Sequence, residues 1–290
     1  LFNVNVTTGA VTFKSVPIFS APTDSSANNV YDITVTASDG SLTATQTVAI
    51  TVNNVNHAPV VTSAATASFA ENSTGTVYTA TATDVDAGTT LSYTLGGTDS
   101  ALFNINASTG AVTFKVAPDY EAPTDAGANN VYDITVTASD GSLTATQAVA
   151  ITVTNLNDNA PVFTSGGTGT VAENAATSTV IYTAATTDAD NLAARTYTVS
   201  GTDAGLVDIT SAGVVTLKAS ADYESKTSYS FNVIANDGAN TATQAVVVSV
   251  TNLNDNAPVF TSGGTGTVAE NAATSTVIYT AATTDADNLA

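Results

Sequence analysis

Acidic side chains recur along the chain in short fixed motifs, and their types and spacing favour metal binding. Each complete copy of the pattern holds an Ala-Glu-Asn, an Asp-x-Asp, an Asp-Tyr-Glu and an Asp before Gly, and it closes with Asn-Leu-Asn-Asp-Asn-Ala-Pro. On an extended backbone, residues i and i+2 point to the same side, so each Asp-x-Asp or Asp-Tyr-Glu pair is expected to direct two carboxylates at one cation. The tyrosines between the acidic residues, Tyr120 and Tyr223, are then expected to pack inward.

The charge balance indicates which cation these carboxylates hold. The chain has 25 Asp and Glu against 5 Lys and Arg, a formal charge of −20. Because so few basic residues are available, a bound metal must neutralise the clustered carboxylates. Oxygen donors favour calcium over zinc or copper, and a high ligand count favours calcium over magnesium. The same charge excludes nucleic acid as a partner.

Missing residue types remove several classes of function. The sequence contains no Cys, Met or Trp, which excludes thiol catalysis, disulfides and Cys-ligated metals. We expect no enzyme, because carboxylates saturated with calcium are poor acid–base groups and the chain supplies no activated nucleophile. His57, the single histidine, is interpreted as an exposed linker residue. No apolar run is long enough to span a bilayer, so we expect no membrane insertion in this segment.

Internal repeats dominate the sequence. Residues 28–46 recur letter for letter as 129–147, and residues 153–193 recur unchanged as 250–290. Alignment on the Ala-Pro pairs predicts four pieces, a partial repeat 1–57, two complete repeats 58–159 and 160–256, and a partial repeat 257–290. We expect the polypeptide to continue in both directions, or its end pieces to be completed by neighbouring chains.

Within a repeat, the hydrophobic period is two. Tyr132, Ile134, Val136 and Ala138 alternate with polar residues, as in a strand with one buried and one solvated face. Turn signals such as Asp140-Gly141 separate these runs. About seven short strands per ~100 residues predict an all-β fold of β-sandwiches.

The motifs, in this order, resemble cadherin-type extracellular repeats, and the nearly identical Thr- and Ala-rich copies are similar to the cadherin-like arrays of giant bacterial surface or secreted adhesins. The resemblance covers the whole chain. It implies a linear array of cadherin-like (Ig-like, Greek-key) seven-stranded β-sandwiches with Ca²⁺ between successive repeats, about three ions per complete junction. It also implies an extracellular or cell-surface location.

The resemblance assigns metal ligands to each junction. At the junction of the second and third repeats, side chains and linker carbonyls give Glu71, Asp119, Glu121, Asn155, Leu156, Asn157, Asp158, Asn159, Asp188, Asp190 and Asp237. At the next junction, the corresponding residues are Glu173, Asp222, Glu224, Asn252, Leu253, Asn254, Asp255, Asn256, Asp285 and Asp287. Asn155 stands where the family normally has Asp, so one ion is expected to bind more weakly.

The first junction departs from this pattern. Ile18 and Ser20 stand where the second repeat has Asp119 and Glu121, and the linker is one residue shorter and lacks its Asp. The ligands that remain are Asn56, Asp84, Asp86 and Asp140. We expect fewer calcium ions and a more flexible joint there.

The leading functional hypothesis is a calcium-rigidified spacer or stalk of a long adhesin, which extends a binding tip and contacts neighbouring repeats of its own chain. One alternative is a self-assembling extracellular filament or sheath, in which identical chains are partners. Another is direct homophilic or carbohydrate adhesion by the repeats. The absence of Trp and the placement of most Tyr and Phe on strands argue against sugar binding.

Overall fold

The computed structural model describes residues 1–287, and residues 288–290, which close the fourth predicted piece, lie outside the described part. The chain forms two compact units, Leu1–Asn155 and Leu156–Ala290, and each is described by itself. The predicted all-β class is confirmed. Strands account for nearly all regular structure in residues 1–287, and the helical segments there are single 3-10 turns. No helix within residues 1–287 has the length and apolarity needed to cross a membrane.

The first unit begins with two antiparallel hairpins. Their strands are β1 (Phe2–Val4) with β2 (Val11–Phe13), and β3 (Val30–Ser38) with β4 (Thr43–Thr51).

A complete sandwich follows in the same unit. Its strands are β5 (Val60–Val61), β6 (Thr66–Ala70), β7 (Thr76–Thr79), β8 (Ala82–Thr83), β9 (Ser92–Gly96), β10 (Phe103–Ile105), β11 (Ala111–Phe114), β12 (Val131–Ser139) and β13 (Thr144–Thr154), with a 3-10 turn at Ser100–Leu102. One sheet has the order β6-β13-β12-β9 and the other the order β10-β11-β7, while β5 and β8 form a short pair. The two main sheets together supply the seven strands that the sequence predicts.

The second unit repeats this arrangement. Its strands are β14 (Val162–Phe163), β15 (Thr168–Ala172), β16 (Val180–Thr183), β17 (Thr186–Thr187), β18 (Thr196–Ser200), β19 (Val207–Ile209), β20 (Val214–Leu217), β21 (Ser228–Asn236), β22 (Thr241–Thr251), β23 (Val259–Phe260) and β24 (Thr283–Thr284), with a 3-10 turn at Ala204–Leu206. The main sheets have the orders β15-β22-β21-β18 and β16-β20-β19.

Alternating side chains build the core of each sandwich. Tyr132, Ile134, Val136 and Ala138 on β12 are 0–2% exposed, as the period of two predicts. Phe114 packs edge-on against Tyr132 with ring centroids 5.0 Å apart. Burial of these β-branched and aromatic side chains stabilises the sandwich without any contribution from a metal. The acidic motifs are therefore free to lie at the strand ends.

Candidate metal centre

The acidic pairs lie in turns, so the prediction that they sit on extended backbone is wrong. In each Asp-x-Asp, the carboxylate of the first Asp accepts a hydrogen bond from the backbone N–H of the second Asp. The distances are 2.8 Å for Asp84 and Asp86, 3.1 Å for Asp188 and Asp190, and 3.0 Å for Asp285 and Asp287. Asp119 accepts the N–H of Glu121 in the same way, at 3.0 Å. Aspartate favours this turn because its short side chain reaches the backbone two residues on.

The Asp-Tyr-Glu loops are anchored by their central tyrosines, as predicted. Tyr120 and Tyr223 are partly buried against the cores of the second and third repeats. In the second repeat the side chain of Asn130, a residue with φ of +62°, also donates to the carbonyl of Tyr120 at 2.9 Å. These contacts fix the loops so that the flanking acidic side chains stay at the end of the sandwich.

Glu173 joins two segments at the end of the third repeat. It is 2% exposed and follows β15 directly. One carboxylate oxygen accepts the N–H of Leu253 in the linker at 2.5 Å, and the other accepts the N–H of Tyr223 at 2.8 Å. Charge-assisted bonds of this kind stabilise a buried carboxylate. Glu173 thus brings the linker and the Asp-Tyr-Glu loop to the same place.

Two groups of three carboxylates meet there. In each group, one ligand oxygen per residue lies within 4.8 Å of the others. The groups are Glu173, Asp222 and Glu224, and Glu224, Asp255 and Asp287. They draw on the strand end, the Asp-Tyr-Glu loop, the linker and the Asp-x-Asp that follows it. Glu224 belongs to both groups, so the structure brings together five of the ten residues predicted at this junction.

Charge repulsion contributes to the raised pKa of Glu224. Desolvation raises the pKa of Glu224, and repulsion from Glu173 and Asp287 raises it further. In contrast, the side-chain amide of Asn256 is the largest of several causes that lower the pKa of Asp287. The ion pairs formed within residues 1–287 are His57 with Asp86, Lys218 with Asp208 and Lys226 with Asp203. No Lys or Arg among the described residues forms an ion pair with either acidic group.

The remaining predicted residues of this junction contribute in other ways or stay apart. The side-chain amide of Asn252 donates to the carbonyl of Asp287 at 2.7 Å. The backbone N–H of Asn256 donates to a carboxylate oxygen of Asp287 at 2.8 Å. Asn254 is exposed, and Asp285 holds the turn described above. Leu253 is exposed as well, and its N–H is bound to Glu173.

The residues predicted for the junction of the second and third repeats fall on both compact units. In the first unit, Glu71 is 0% exposed and its carboxylate accepts the N–H of Tyr120 at 2.7 Å. Asp119 accepts N–H groups of its own loop, and Glu121 is partly buried. Asn155, also partly buried, ends this unit.

The second unit carries the other predicted residues of that junction. The backbone N–H of Asn159 and its side-chain amide both donate to the carboxylate of Asp190, at 2.7 and 2.8 Å. Asp158 accepts the amide of Asn159 at 2.9 Å, and Leu156 is exposed. Asn157 donates to the carbonyl of Asp237 at 3.3 Å. The N–H of Asn240 is the largest of the causes that lower the pKa of Asp237.

One further observation favours a hard cation as the ligand of the predicted residues. Within residues 1–287, buried side-chain oxygens of several predicted ligands accept no hydrogen bond, among them those of Asp84, Asn157, Asp188, Asp237 and Asn252. A buried oxygen without a partner is costly, and every one of these atoms is of the kind that Ca²⁺ prefers. Three of them, on Asn157, Asp188 and Asp237, belong to the second unit and come from the linker, an Asp-x-Asp and an Asp-Gly turn.

The first junction uses a different set of contacts. The side-chain amide of Asn56 donates to Asp140 at 2.7 Å. The backbone N–H of His57 lies 2.6 Å from one carboxylate oxygen of Asp86, and its ring Nδ1 lies 3.2 Å from the other. None of the three-carboxylate groups found in residues 1–287 includes an acidic residue of this junction.

Three residues at these sites were missed or only partly understood from the sequence. The side chain of His57 is 60% exposed, as expected for a linker residue, but it binds Asp86 as Asn159 binds Asp190. His57 and Asn159 both stand directly before Ala-Pro, and this shared position could have indicated the contact. Asn174 donates to Asp255, and Asn240 donates to the carbonyls of Asn157 and Asn159. No spacing rule in the sequence marked either residue.

A comparison with protein families matches one of the repeats. Residues 65–154 match the family model of the Cadherin domain. These residues form a cadherin domain. The resemblance to cadherin-type repeats is therefore confirmed, and the sandwich of the second repeat is the one matched. The whole of β6 through β13, including Glu71 and the Asp-Tyr-Glu loop, lies within the matched range.

Curated relatives also carry cadherin names. The chain is 33% identical to mouse Protocadherin Fat 4 over 180 residues, which are 58% of this chain and 4% of that protein. It is 34% identical to human Cadherin EGF LAG seven-pass G-type receptor 2 over 194 residues, 64% of this chain and 6% of that protein. The chain thus spans a small part of the length of either relative.

Solved structures agree with the fold. A crystal structure of mouse Cadherin-23 EC22-24 superposes with a TM-score of 0.68 at 27% identity and covers 80% of this chain and 78% of that one. The Protocadherin GammaB4 extracellular domain superposes with a TM-score of 0.75 at 24% identity, covering 98% of this chain and 49% of that one. The second likeness supports the cadherin-type sandwich fold alone.

Proposed function

We propose that this chain is a calcium-rigidified spacer of a long extracellular adhesin, as the motifs and the cadherin domain suggest. Calcium ions at each junction hold successive repeats in a fixed orientation and so extend a binding tip away from the cell surface. The single observation that carries this proposal is that carboxylates from four separate segments meet at the end of the third repeat. They form two groups that share Glu224, and the ligand oxygens within each group lie within 4.8 Å of one another.

The electrostatics of the third-repeat groups favour a bound cation. Five carboxylates approach one another with no Lys or Arg of the described chain paired to them. The repulsion that raises the pKa of Glu224 is relieved when a divalent cation binds between the groups. Because calcium binds the ordered junction and not the disordered one, it shifts the equilibrium towards the ordered form.

We further propose about three ions at each complete junction and fewer at the first. The ligands are those assigned by the motifs, with the buried unpartnered oxygens of Asn157, Asp188 and Asp237 as the best supported donors beyond the acidic groups. At the first junction, none of the three-carboxylate groups found in residues 1–287 includes Asp84, Asp86 or Asp140. The repeat boundaries at 57, 159 and 256 and the absence of catalysis belong to the same proposal.

The test is the solution shape of the chain with and without calcium. Small-angle scattering is recorded in excess calcium and again after a chelator removes it, while circular dichroism monitors strand content. We expect the maximum dimension to be larger and better defined in calcium, with strand content unchanged because the cores are complete without metal. Equal scattering profiles in the two conditions, or calorimetry that detects no calcium binding, would refute the proposal.

A further inference from the structure

Asn174 contacts the linker carboxylate of the third repeat. It follows Glu173 in the Ala-Glu-Asn motif, and its side-chain amide donates to one carboxylate oxygen of Asp255. The other oxygen of Asp255 accepts the side-chain amide of Asn256 at 2.8 Å. Each oxygen of this exposed carboxylate is therefore held by a neutral amide. Asp255 is in turn a member of the group with Glu224 and Asp287.

The backbone of Asn174 explains how its side chain reaches the linker. Its φ is +60°, in the left-handed region that Asn tolerates better than most residues. Its N–H donates to the carbonyl of Ala221 at 2.9 Å, next to the Asp-Tyr-Glu loop. Asn174 thus joins the end of β15, the loop that carries Asp222, and the linker, which are three of the segments that supply carboxylates.

We propose that Asn174 is a positioning residue that holds Asp255 in place for the metal. The inference rests on the proposed function, because it requires calcium at this junction. Asp255 is exposed, and one of its oxygens lies within 4.8 Å of the carboxylates of Glu224 and Asp287, so we expect its side chain to move away from them when the Asn174 amide is removed. A fixed amide directs the carboxylate before the ion arrives, as groups that bond to metal ligands generally do.

The chain offers a matched control in the fourth piece. Asn271 stands in the same Ala-Glu-Asn sequence with a φ of +63°. Its side chain makes no hydrogen bond within residues 1–287. Glycine adopts a positive φ without strain, so Asn174→Gly and Asn271→Gly each remove the amide and keep the backbone conformation. Only the first change removes a contact to a predicted ligand.

The experiment is a residue-resolved calcium titration of the full chain by amide NMR, followed at Tyr223. The N–H of Tyr223 is bonded to Glu173, so it reports this junction, and its sequence context occurs once in the chain. We expect Asn174→Gly to raise the calcium midpoint at Tyr223 by about 10-fold, the lower end of the effect known for groups that orient metal ligands. Asn271→Gly should leave the midpoint unchanged.

Thermal unfolding in chelator separates positioning from a structural role. We expect the calcium-free melting temperatures of the two glycine variants to match. A calcium midpoint for Asn174→Gly equal to that of the unmodified chain would overturn the inference while leaving the proposed function intact. A melting temperature in chelator that falls for Asn174→Gly alone would also overturn it, since the residue would then be structural. If the Tyr223 amide of the unmodified chain does not respond to calcium, both proposals are wrong.

Discussion

Replacing Glu224 with Gln tests the shared ligand of the third repeat. Glu224 contributes an oxygen to both acidic groups, and its pKa is raised by desolvation and by its acidic neighbours. Glutamine keeps the size of the side chain but removes the charge that attracts a divalent cation. The substitution should therefore weaken calcium binding while relieving repulsion in the calcium-free protein, so the two states respond in opposite directions.

The magnitude follows from the linkage between binding and stability. When the free calcium concentration is 100 times the dissociation constant, binding of one ion stabilises the folded repeat by about 2.7 kcal/mol. For a domain of this size, this corresponds to a rise in melting temperature of roughly 10–20 °C. Loss of a charged ligand weakens binding by at least ~10-fold, the lower end of the effect found for groups that only orient ligands. At the same free calcium, about half of the calcium-dependent rise should then remain.

The assay is the melting temperature as a function of free calcium, with Glu270→Gln as the control. Glu270 carries the same charge but is exposed and belongs to no three-carboxylate group in the described chain. We expect Glu224→Gln to melt no lower than the unmodified chain in chelator and well below it in calcium. Equal calcium-dependent rises for both variants would refute the assignment of Glu224 as a shared ligand.

Two further predictions concern the sandwiches. The N–H of Ser230 and, less strongly, the Lys226 ammonium, which lies 3.0 Å from the carboxylate, hold the pKa of Asp203 below its usual 3.8. The ionised Asp203 carboxylate therefore stabilises the fold above pH 3.8, and this stabilisation is lost as the pH falls further. The free energy of unfolding in urea, measured at about pH 6 and about pH 3, should change less with pH in Asp203→Asn than in Asp208→Asn, because the Asp208 carboxylate is exposed in the native protein. An equal change in the two variants would contradict this. At Gly110, with φ of +71°, a Cβ would lie 2.2 Å from the carbonyl oxygen of Ala80, whereas at Gly213 the corresponding distance is 2.9 Å to Ala184. Gly110→Ala should therefore destabilise its repeat more than Gly213→Ala destabilises its own, by at least about 1 kcal/mol in denaturant unfolding, and equal losses would show that the backbone shifts freely.

The sandwich was predictable from the sequence because its main signal is local. Alternation along 132–139 fixes which side chains of β12 are buried, and Tyr132 to Ala138 follow it without exception. The parallel pairing of β6 with β13 was not predictable in this way. It joins segments more than 80 residues apart, as the Gln147 contact to Ser63 illustrates, and no local period encodes that distance.

The candidate site was predicted in residue type and only partly in geometry. Recurring carboxylates indicated a metal, but a short polar side chain competes for backbone N–H groups, and this preference turns Asp188 and Asp190 out of the extended conformation. The partner of Asn174 lies 81 residues away in the linker. Such contacts depend on two loops meeting at the end of a folded sandwich, so they become visible only when the sheets are in place.

Without calcium, the apolar core and the crowded carboxylates affect different parts of the third repeat. Val215, Val233, Val246 and Val248 are 0% exposed in the third repeat, so its interior is filled by apolar side chains that need no ion. The carboxylates repel one another only at the strand ends, where Asp222 and Asp255 are exposed to solvent. Because repulsion in solvent is weak compared with the burial of a whole core, removing calcium should loosen the linker and leave the sandwich folded. Hydrogen exchange should accordingly increase at Leu253 and Tyr223, whose N–H groups bind Glu173, and remain slow at Val233.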